Sequence, residues 1–319
     1  MSDKLKYGNS FCVLPFIHKH IDLTNKRRVC CISSDGITEE RLQGIRQDML
    51  ANLPVPECKV CANTELQKTV SSRQKVTAEW FRKRPDIDYD YPPEISYDLR
   101  YSNVCNLRCQ MCGPVASSTW AKFLNKQDVY QTVEPDVFEV NPEAARIYLA
   151  GGEPFMVKSF STLLNKIENR NCEIIINTNA TILTEKMLSA LERFTNVCIV
   201  LSIDGTGETI ERIRTLCSWD IIQKNIDVLQ SRLNPTLMVN TVLQRDNIDN
   251  IPELVNWIDS RGIAKWDAEI LTYPDQYHYS NYTGTINWPN ALWSAQCVTK
   301  NLQANSALKQ IYSNLSDQS

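Results

Sequence analysis

The chain has 319 residues, 43% of them hydrophobic, enough to bury a sizeable core in one large domain or two smaller ones. Its charges are mixed in sign and sum to −3, without the basic face on which nucleic-acid binders rely, and no segment has the run of about eighteen apolar residues that a membrane span needs. The first twenty residues, MSDKLKYGNSFCVLPFIHKH, also lack the apolar stretch of a signal peptide, so the expectation is a cytoplasmic protein with no nucleic-acid or membrane partner.

From the N-terminus, the stretch from Phe11 to Ser33 reads as strand, turn and strand, with the turn at Leu23 to Lys26 and cysteines on both arms. His18 and His20, two apart, would share a strand face; alternating polar residues of a half-exposed strand account for them more simply than metal ligation does. LPVPECKVC then supplies Cys58 and Cys61, and the basic run Arg82-Lys83-Arg84 before Pro85 reads as a solvated linker. From Glu94 onward, β-branched runs alternate with helical text, the pattern of βα units on a parallel sheet. Six strands are expected: EISYDLRY from Glu94, RIYLA from Arg146, EIIINTN from Glu173, VCIVLSID from Val197, TLMVNTVL from Thr236 and WDAEILTY from Trp266. Between them, Phe160, Leu163, Leu164 and Ile167 make the apolar stripe of one helix, and Gly262 is placed to end another. A last helix is expected from Asn290 to Leu315, and Tyr273, Tyr277, Tyr279 and Tyr282 crowd the segment before it.

Twelve cysteines in a chain whose thiols stay reduced point to metal ligation or catalysis and not to disulfides. Eight of the twelve fall in two clusters: Cys12, Cys30, Cys31, Cys58 and Cys61, and then Cys105, Cys109 and Cys112 within SNVCNLRCQMCGP. Cys172, Cys198, Cys217 and Cys297 lie among apolar residues and read as packing; His278 stands alone. In α/β folds of this kind the site gathers beyond the carboxyl ends of the strands. The second cysteine cluster, Gly151-Gly152-Glu153-Pro154, Asn177 to Asn179, and Ser202, Asp204 and Gly205 all fall there. Five of only ten glycines, Gly113, Gly151, Gly152, Gly205 and Gly207, lie just past strand ends, where the backbone turns tightly or approaches a ligand. Polar residues alternate along several strands, Asp98 with Arg100, Asn240 with Gln244 and Asp267 with Glu269; a buried member of such a set needs a partner.

An iron-sulfur cube has four iron corners, so three cysteines leave one open; a zinc ion closed by a fourth ligand from elsewhere is the alternative. CNLRCQMC at 105 to 112 has the CxxxCxxC spacing of the radical S-adenosylmethionine (radical SAM) enzymes, and GGEP at 151 to 154 resembles that family's second motif. The resemblance covers roughly residues 94 to 275 and implies a partial (β/α)6 TIM-like barrel. It also implies that Cys105, Cys109 and Cys112 hold a 4Fe-4S cluster whose open iron binds SAM. The reduced cluster would cleave SAM to methionine and a 5′-deoxyadenosyl radical, which takes a hydrogen atom from substrate. By the same resemblance Gly151, Gly152 and Glu153 meet the methionyl amino group. Asn179, Ser202 and Asp204 contact ribose or carboxylate; Arg214 pairs with the carboxylate or is a charge on a helix surface; Met111 packs on adenine.

The N-terminal cysteines resemble the twitch domain, a shortened relative of the SPASM domain, which holds an auxiliary 4Fe-4S cluster. The resemblance implies Cys12, Cys30, Cys58 and Cys61 as ligands, with Cys31 able to replace Cys30 and a four-cysteine zinc site fitting the same spacing. The expected organisation is a cysteine-rich hairpin domain at 1–70, a linker at 71–93, the barrel at 94–275 and a C-terminal helical extension at 276–319. The function implied is radical oxidation or cross-linking of a peptide side chain or small polyol, fed by an electron donor such as flavodoxin or ferredoxin. A non-enzymatic protein with two structural zinc or iron-sulfur sites is the other reading.

Overall fold

The computed structural model describes residues 7–33, 35–100, 102–126, 139–263, 265–271 and 274–277. Tyr273, His278, Tyr279, Tyr282, Cys297 and the expected helix from Asn290 to Leu315 lie outside the described residues.

The chain begins with a short helix α1 (Leu14–Ile17) and the hairpin strands β1 (His18–Ile21) and β2 (Arg27–Arg28), followed by helices α2 (Glu39–Leu50), α3 (Lys59–Leu66) and α4 (Ser72–Lys83). The βα units then run β3 (Ser96–Leu99), the two-residue strand β4 (Arg108–Cys109), α5 (Ser118–Phe123), β5 (Arg146–Leu149), α6 (Lys158–Asn165), β6 (Glu173–Thr178) and α7 (Glu185–Leu191). They continue through β7 (Asn196–Ser202), α8 (Gly207–Ile213), the small strand β8 (Arg214–Thr215), α9 (Trp219–Leu233), β9 (Thr236–Leu243), α10 (Ile251–Ser260) and β10 (Lys265–Ile270). Strands β3, β5, β6, β7, β9 and β10 are all parallel and neighbour one another in chain order. Successive crossovers in one direction give a partial (β/α)6 TIM-like barrel.

Strand alternation divides the sheet into two faces. Ile147, Leu149, Ile174, Ile176, Ile199, Leu201 and Val239 are fully buried in one core with the apolar stripes of the helices, Phe160, Leu163, Leu164 and Ile167 among them. Their neighbours Tyr148, Asn177, Ser202, Asn240 and Asp267 are only half-buried and line the opposite, interior face. Gly262 ends α10 as expected: at φ +64° it donates to Asp259 O while Ile263 N reaches back to Ile258 O.

Three features differ from the sequence expectations. The first arm of the N-terminal hairpin is not strand before His18, because Pro15 opens the one-turn helix α1; the turn is set by Asp22, whose Oδ1 accepts from Thr24 N and Lys26 N. The hairpin also joins the main sheet, β1 lying parallel to β3 with His18 opposite Ser96 and His20 opposite Asp98, so that it covers backbone β3 would otherwise leave at an edge. Residues 71–93, expected as a linker, include helix α4. Ser71 caps α4 in a reciprocal capping box with Gln74, and Trp80, Ile87 and Tyr89 share a second core with Phe11, Phe16 and Met49. Lys83 and Arg84 of the basic run pair with Glu79 and Glu173 and with Asp86.

Candidate active site

The loop after β3 carries Cys105, Cys109 and Cys112 and is held almost wholly through its main chain. Cys105 N donates to Ser118 Oγ (3.0 Å), Cys105 O accepts from Thr119 Oγ1 (2.6 Å), and Leu107 O and Cys109 O accept from Ser117 Oγ and Trp120 Nε1 (2.6 and 2.9 Å). Ser117 is also the N-cap of α5, so one serine starts the helix and pins the loop. On the other side β4 pairs with β8, which sets Cys109 opposite Arg214. Met111 packs with Cys105, Leu107 and Cys109 in a small apolar cluster, joined by Cys112 and Cys217.

Gly151 and Gly152 explain how the second motif reaches the first. Gly152 N donates to Ser102 O and Glu153 N to Val104 O, and a Cβ on Gly152 would overlap Val104 O; Gly151, at φ +118°, has Ser102 O in the same relation. The two glycines are thus required by contact with the segment Ser102–Val104 leading into Cys105. Gly152→Ala is expected to cost about 1–3 kcal/mol through overpacking, read as a lower denaturant midpoint. A variant as stable as the parent would show that the loops do not pack in this way.

Glu153 holds the shape of its loop from inside the protein. Its side chain has no exposed surface, and its oxygens accept from Phe155 N (3.1 Å), Thr178 Oγ1 (2.7 Å) and Asn179 N (2.8 Å), tying the motif to the end of β6. Burial pushes its carboxyl up to about 7 against the opposing pull of those bonds. Asp204 is likewise turned inward with no exposed surface: Oδ1 accepts from Val242 N and Oδ2 lies 2.7 Å from Arg214 Nε. It positions Arg214, which is a buried strand residue and not a helix-surface charge; Arg214 Nη1 lies 3.9 Å from Cys109 Sγ. Asn179 joins the same loop from the end of β6, its amide donating to Asn106 Oδ1 (3.2 Å) and lying 3.9 Å from Cys105 Sγ. Ser202 remains on the half-buried interior face, bonded to Asn177 Oδ1 (3.0 Å).

The donor set suits a cationic metal centre. Burial pushes the Cys105 thiol up to about 12, and a sulfur–sulfur hydrogen bond keeps a proton on Cys112 while lowering Cys109. To ionise all three sulfurs beside a single guanidinium needs further positive charge, which metal ions supply.

The first cysteine cluster is brought together too. Cys12, Cys30, Cys31, Cys58 and Cys61 line a cavity of about 200 Å³ with Arg73 and Val76. Burial pushes Cys30 up to about 11 and Cys58 to about 12. The sulfurs felt by Cys12 are those of Cys58, Cys30 and Cys61, whereas the nearest charges to Cys31 are Asp98 and Arg100. On the interior face, Arg100 forks onto Asp98 (2.7 and 2.9 Å) and lies 5.3 Å over the Tyr148 ring. Gln244 is fully buried and its amide donates to Gln110 Oε1 of the cysteine loop. Sequence reading missed the serine, threonine and tryptophan cradle at 117–120 and the Gln110 to Gln244 link. A Ser-Ser-Thr run ahead of a helix was the available signal for the former.

A half-barrel with a three-cysteine loop at its first strand end defines a class of enzyme, and residues 99–258 match the model of the radical SAM superfamily. The chain belongs to that superfamily, whose members carry a 4Fe-4S cluster and SAM. It is 25% identical over 206 residues to the tungsten-containing aldehyde ferredoxin oxidoreductase cofactor-modifying protein of Pyrococcus furiosus, covering 59% of this chain and 55% of that protein. To the GTP 3',8-cyclase of Nitrobacter winogradskyi it is 30% identical over 200 residues, 57% of this chain and 54% of the cyclase. Among solved structures, Streptococcus suis SuiB superposes with a TM-score of 0.46 at 16% identity, over 85% of this chain and 53% of SuiB. The chain spans about half the length of the curated relatives it matches. No described helix is long and apolar enough to cross a membrane.

Proposed function

We propose that Cys105, Cys109 and Cys112 ligate three irons of a 4Fe-4S cluster whose fourth iron binds SAM, and that Cys12, Cys30, Cys58 and Cys61 hold an auxiliary 4Fe-4S cluster. The SAM-bound cluster supplies one-electron cleavage of the sulfonium bond, to methionine and a 5′-deoxyadenosyl radical, with the electron from a donor of the flavodoxin or ferredoxin kind. The observation that carries this reading is the packing of the Gly151-Gly152 loop on the segment that enters Cys105, with Arg214 and Asn179 directed at the cysteine sulfurs. A purely structural metal site would not require two strand-end loops to converge in this way.

In this reading the chain's own groups divide the work. Asp204 holds Arg214 beside the cluster, Glu153 locks the glycine loop to β6, and Met111 lies against the adenine. Backbone of the Gly151–Glu153 loop meets the methionyl amino group, and Ser202 meets the ribose. Tyr148, Asn177, Ser202, Asn240 and Asp267 offer a polar interior wall to a peptide side chain or small polyol, which is oxidised or cross-linked. Cys30 is the hairpin ligand of the auxiliary cluster, because its sulfur is the one whose charge acts on both Cys12 and Cys58.

The test is anaerobic reconstitution with iron and sulfide, followed by dithionite and SAM, with 5′-deoxyadenosine assayed. Failure to form it with both clusters present removes the enzyme reading. The double variant Cys58→Ala, Cys61→Ala should lose about half of the iron yet retain uncoupled SAM cleavage, since homolysis belongs to the core cluster. Zinc without iron at the N-terminal site would refute the auxiliary cluster.

A further inference from the structure

We infer that His18, His20 and Asp98 form a third metal site, for a divalent first-row cation, on the interior face of the half-barrel, with ligands outside both cysteine sets. The three side chains each offer a ligand atom, and those atoms lie within 4.8 Å of one another. The sheet register builds the arrangement: β1 lies parallel to β3, so His18 and His20 project to the same side of the sheet as Asp98, with His20 directly across from it.

Charge balance alone does not account for the two imidazoles. Asp98 is already neutralised by the two-pronged contact from Arg100. His20 is buried, and its Nδ1, although 3.1 Å from Asp98 Oδ2, makes no well-directed hydrogen bond. That nitrogen faces a carboxylate oxygen already bonded by Arg100, and a cation at this point would serve both the ring and the carboxylate. His18 has the supporting contact usual for a metal-bound imidazole: its Nδ1 is 2.9 Å from Ser96 Oγ, which orients the ring and leaves Nε2 for the metal.

Two imidazoles and one carboxylate suit Mn(II), Fe(II), Co(II) or Zn(II), and three protein ligands leave further positions open toward the barrel interior. Arg100 is the competitor for Asp98. Its side chain is 34% exposed against 8% for Asp98, and it already lies over the Tyr148 ring, so it has a place to retreat when a cation takes the carboxylate. The site is independent of the radical SAM reading, since none of its ligands belongs to either cysteine set.

The probe is Mn(II), titrated anaerobically into protein carrying oxidised, EPR-silent clusters, with the six-line signal of free Mn(II) reporting binding. One Mn(II) per chain is expected, at least tenfold weaker in His18→Ala and in His20→Ala and about tenfold or more weaker in Ser96→Ala. Arg100→Met should bind Mn(II) more tightly, because it removes the competing cation. No Mn(II) bound, or binding unchanged in the histidine variants, overturns the site. Should the histidine variants fail to retain iron and fold, Arg100→Met decides: affinity equal to or below that of the parent overturns it.

Discussion

Replacing Cys105 by alanine is expected to reduce the iron of the reconstituted protein from about eight atoms to about four and to abolish 5′-deoxyadenosine formation. The loss should be of a ligand and not of the fold. Cys105 is anchored by its main chain to Ser118 and Thr119, and those bonds survive removal of the sulfur. The opposite edge of the loop stays pinned where Cys109 pairs with Arg214. A cube held at only two corners is labile, whereas the N-terminal cysteines, which belong to another core, keep theirs. Iron determination and product assay on the same sample give the answer; full iron and full activity in Cys105→Ala would remove the assignment of this loop.

Glu153→Ala is expected to destabilise the protein by about 3 kcal/mol or more, since it strands Phe155 N, the Thr178 hydroxyl and Asn179 N in a buried place, at about 1–3 kcal/mol for each unsatisfied group. Weaker SAM binding in that variant would follow from displaced loops, because the carboxylate itself is spent inside the protein. Its titration adds a signature. With a folded value near 7 against an ordinary 4.5, the folded state binds this proton more tightly than the unfolded chain does. The resulting stabilisation is complete below pH 4.5 and is lost as pH rises through about 7, an effect of about 3 kcal/mol. Glu153→Gln should flatten that dependence. Unfolding midpoints at pH 5 and pH 8 for parent and Gln variant test it, and parallel pH dependence in the two would show that Glu153 does not titrate in this range.

Much of the barrel was legible because its strands are locally decided. TLMVNTVL is a short run rich in apolar and β-branched residues, and β9 spans Thr236–Leu243 as expected, with burial alternating residue by residue. The helix within residues 71–93 was not legible because the stripe of α4 is sparse, with only Thr77 and Trp80 buried and a basic run at its end. Arg214 was ambiguous for a related reason: it follows directly on α8, and only its pairing with β4, more than a hundred residues earlier in the chain, draws it inward.

By itself the sequence determined the class: CxxxCxxC and GGEP at the ends of predicted strands, a parallel βα pattern, and four more cysteines at ligand-like spacing near the N-terminus. These are matters of residue type and short-range spacing, which covalent connection imposes on any fold the chain adopts. Only the tertiary structure decided where each charge points. Glu153 and Asp204 both turn inward, because donors from the end of β6 and from β9 and a guanidinium from β8 meet them there. Likewise His18 and His20, unremarkable in the sequence, come to lie beside Asp98 because β1 docks in parallel on β3. Such roles depend on partners distant in sequence, and a buried polar side chain orients toward whichever partner relieves its lost hydration; the local pattern of residues carries no record of that choice.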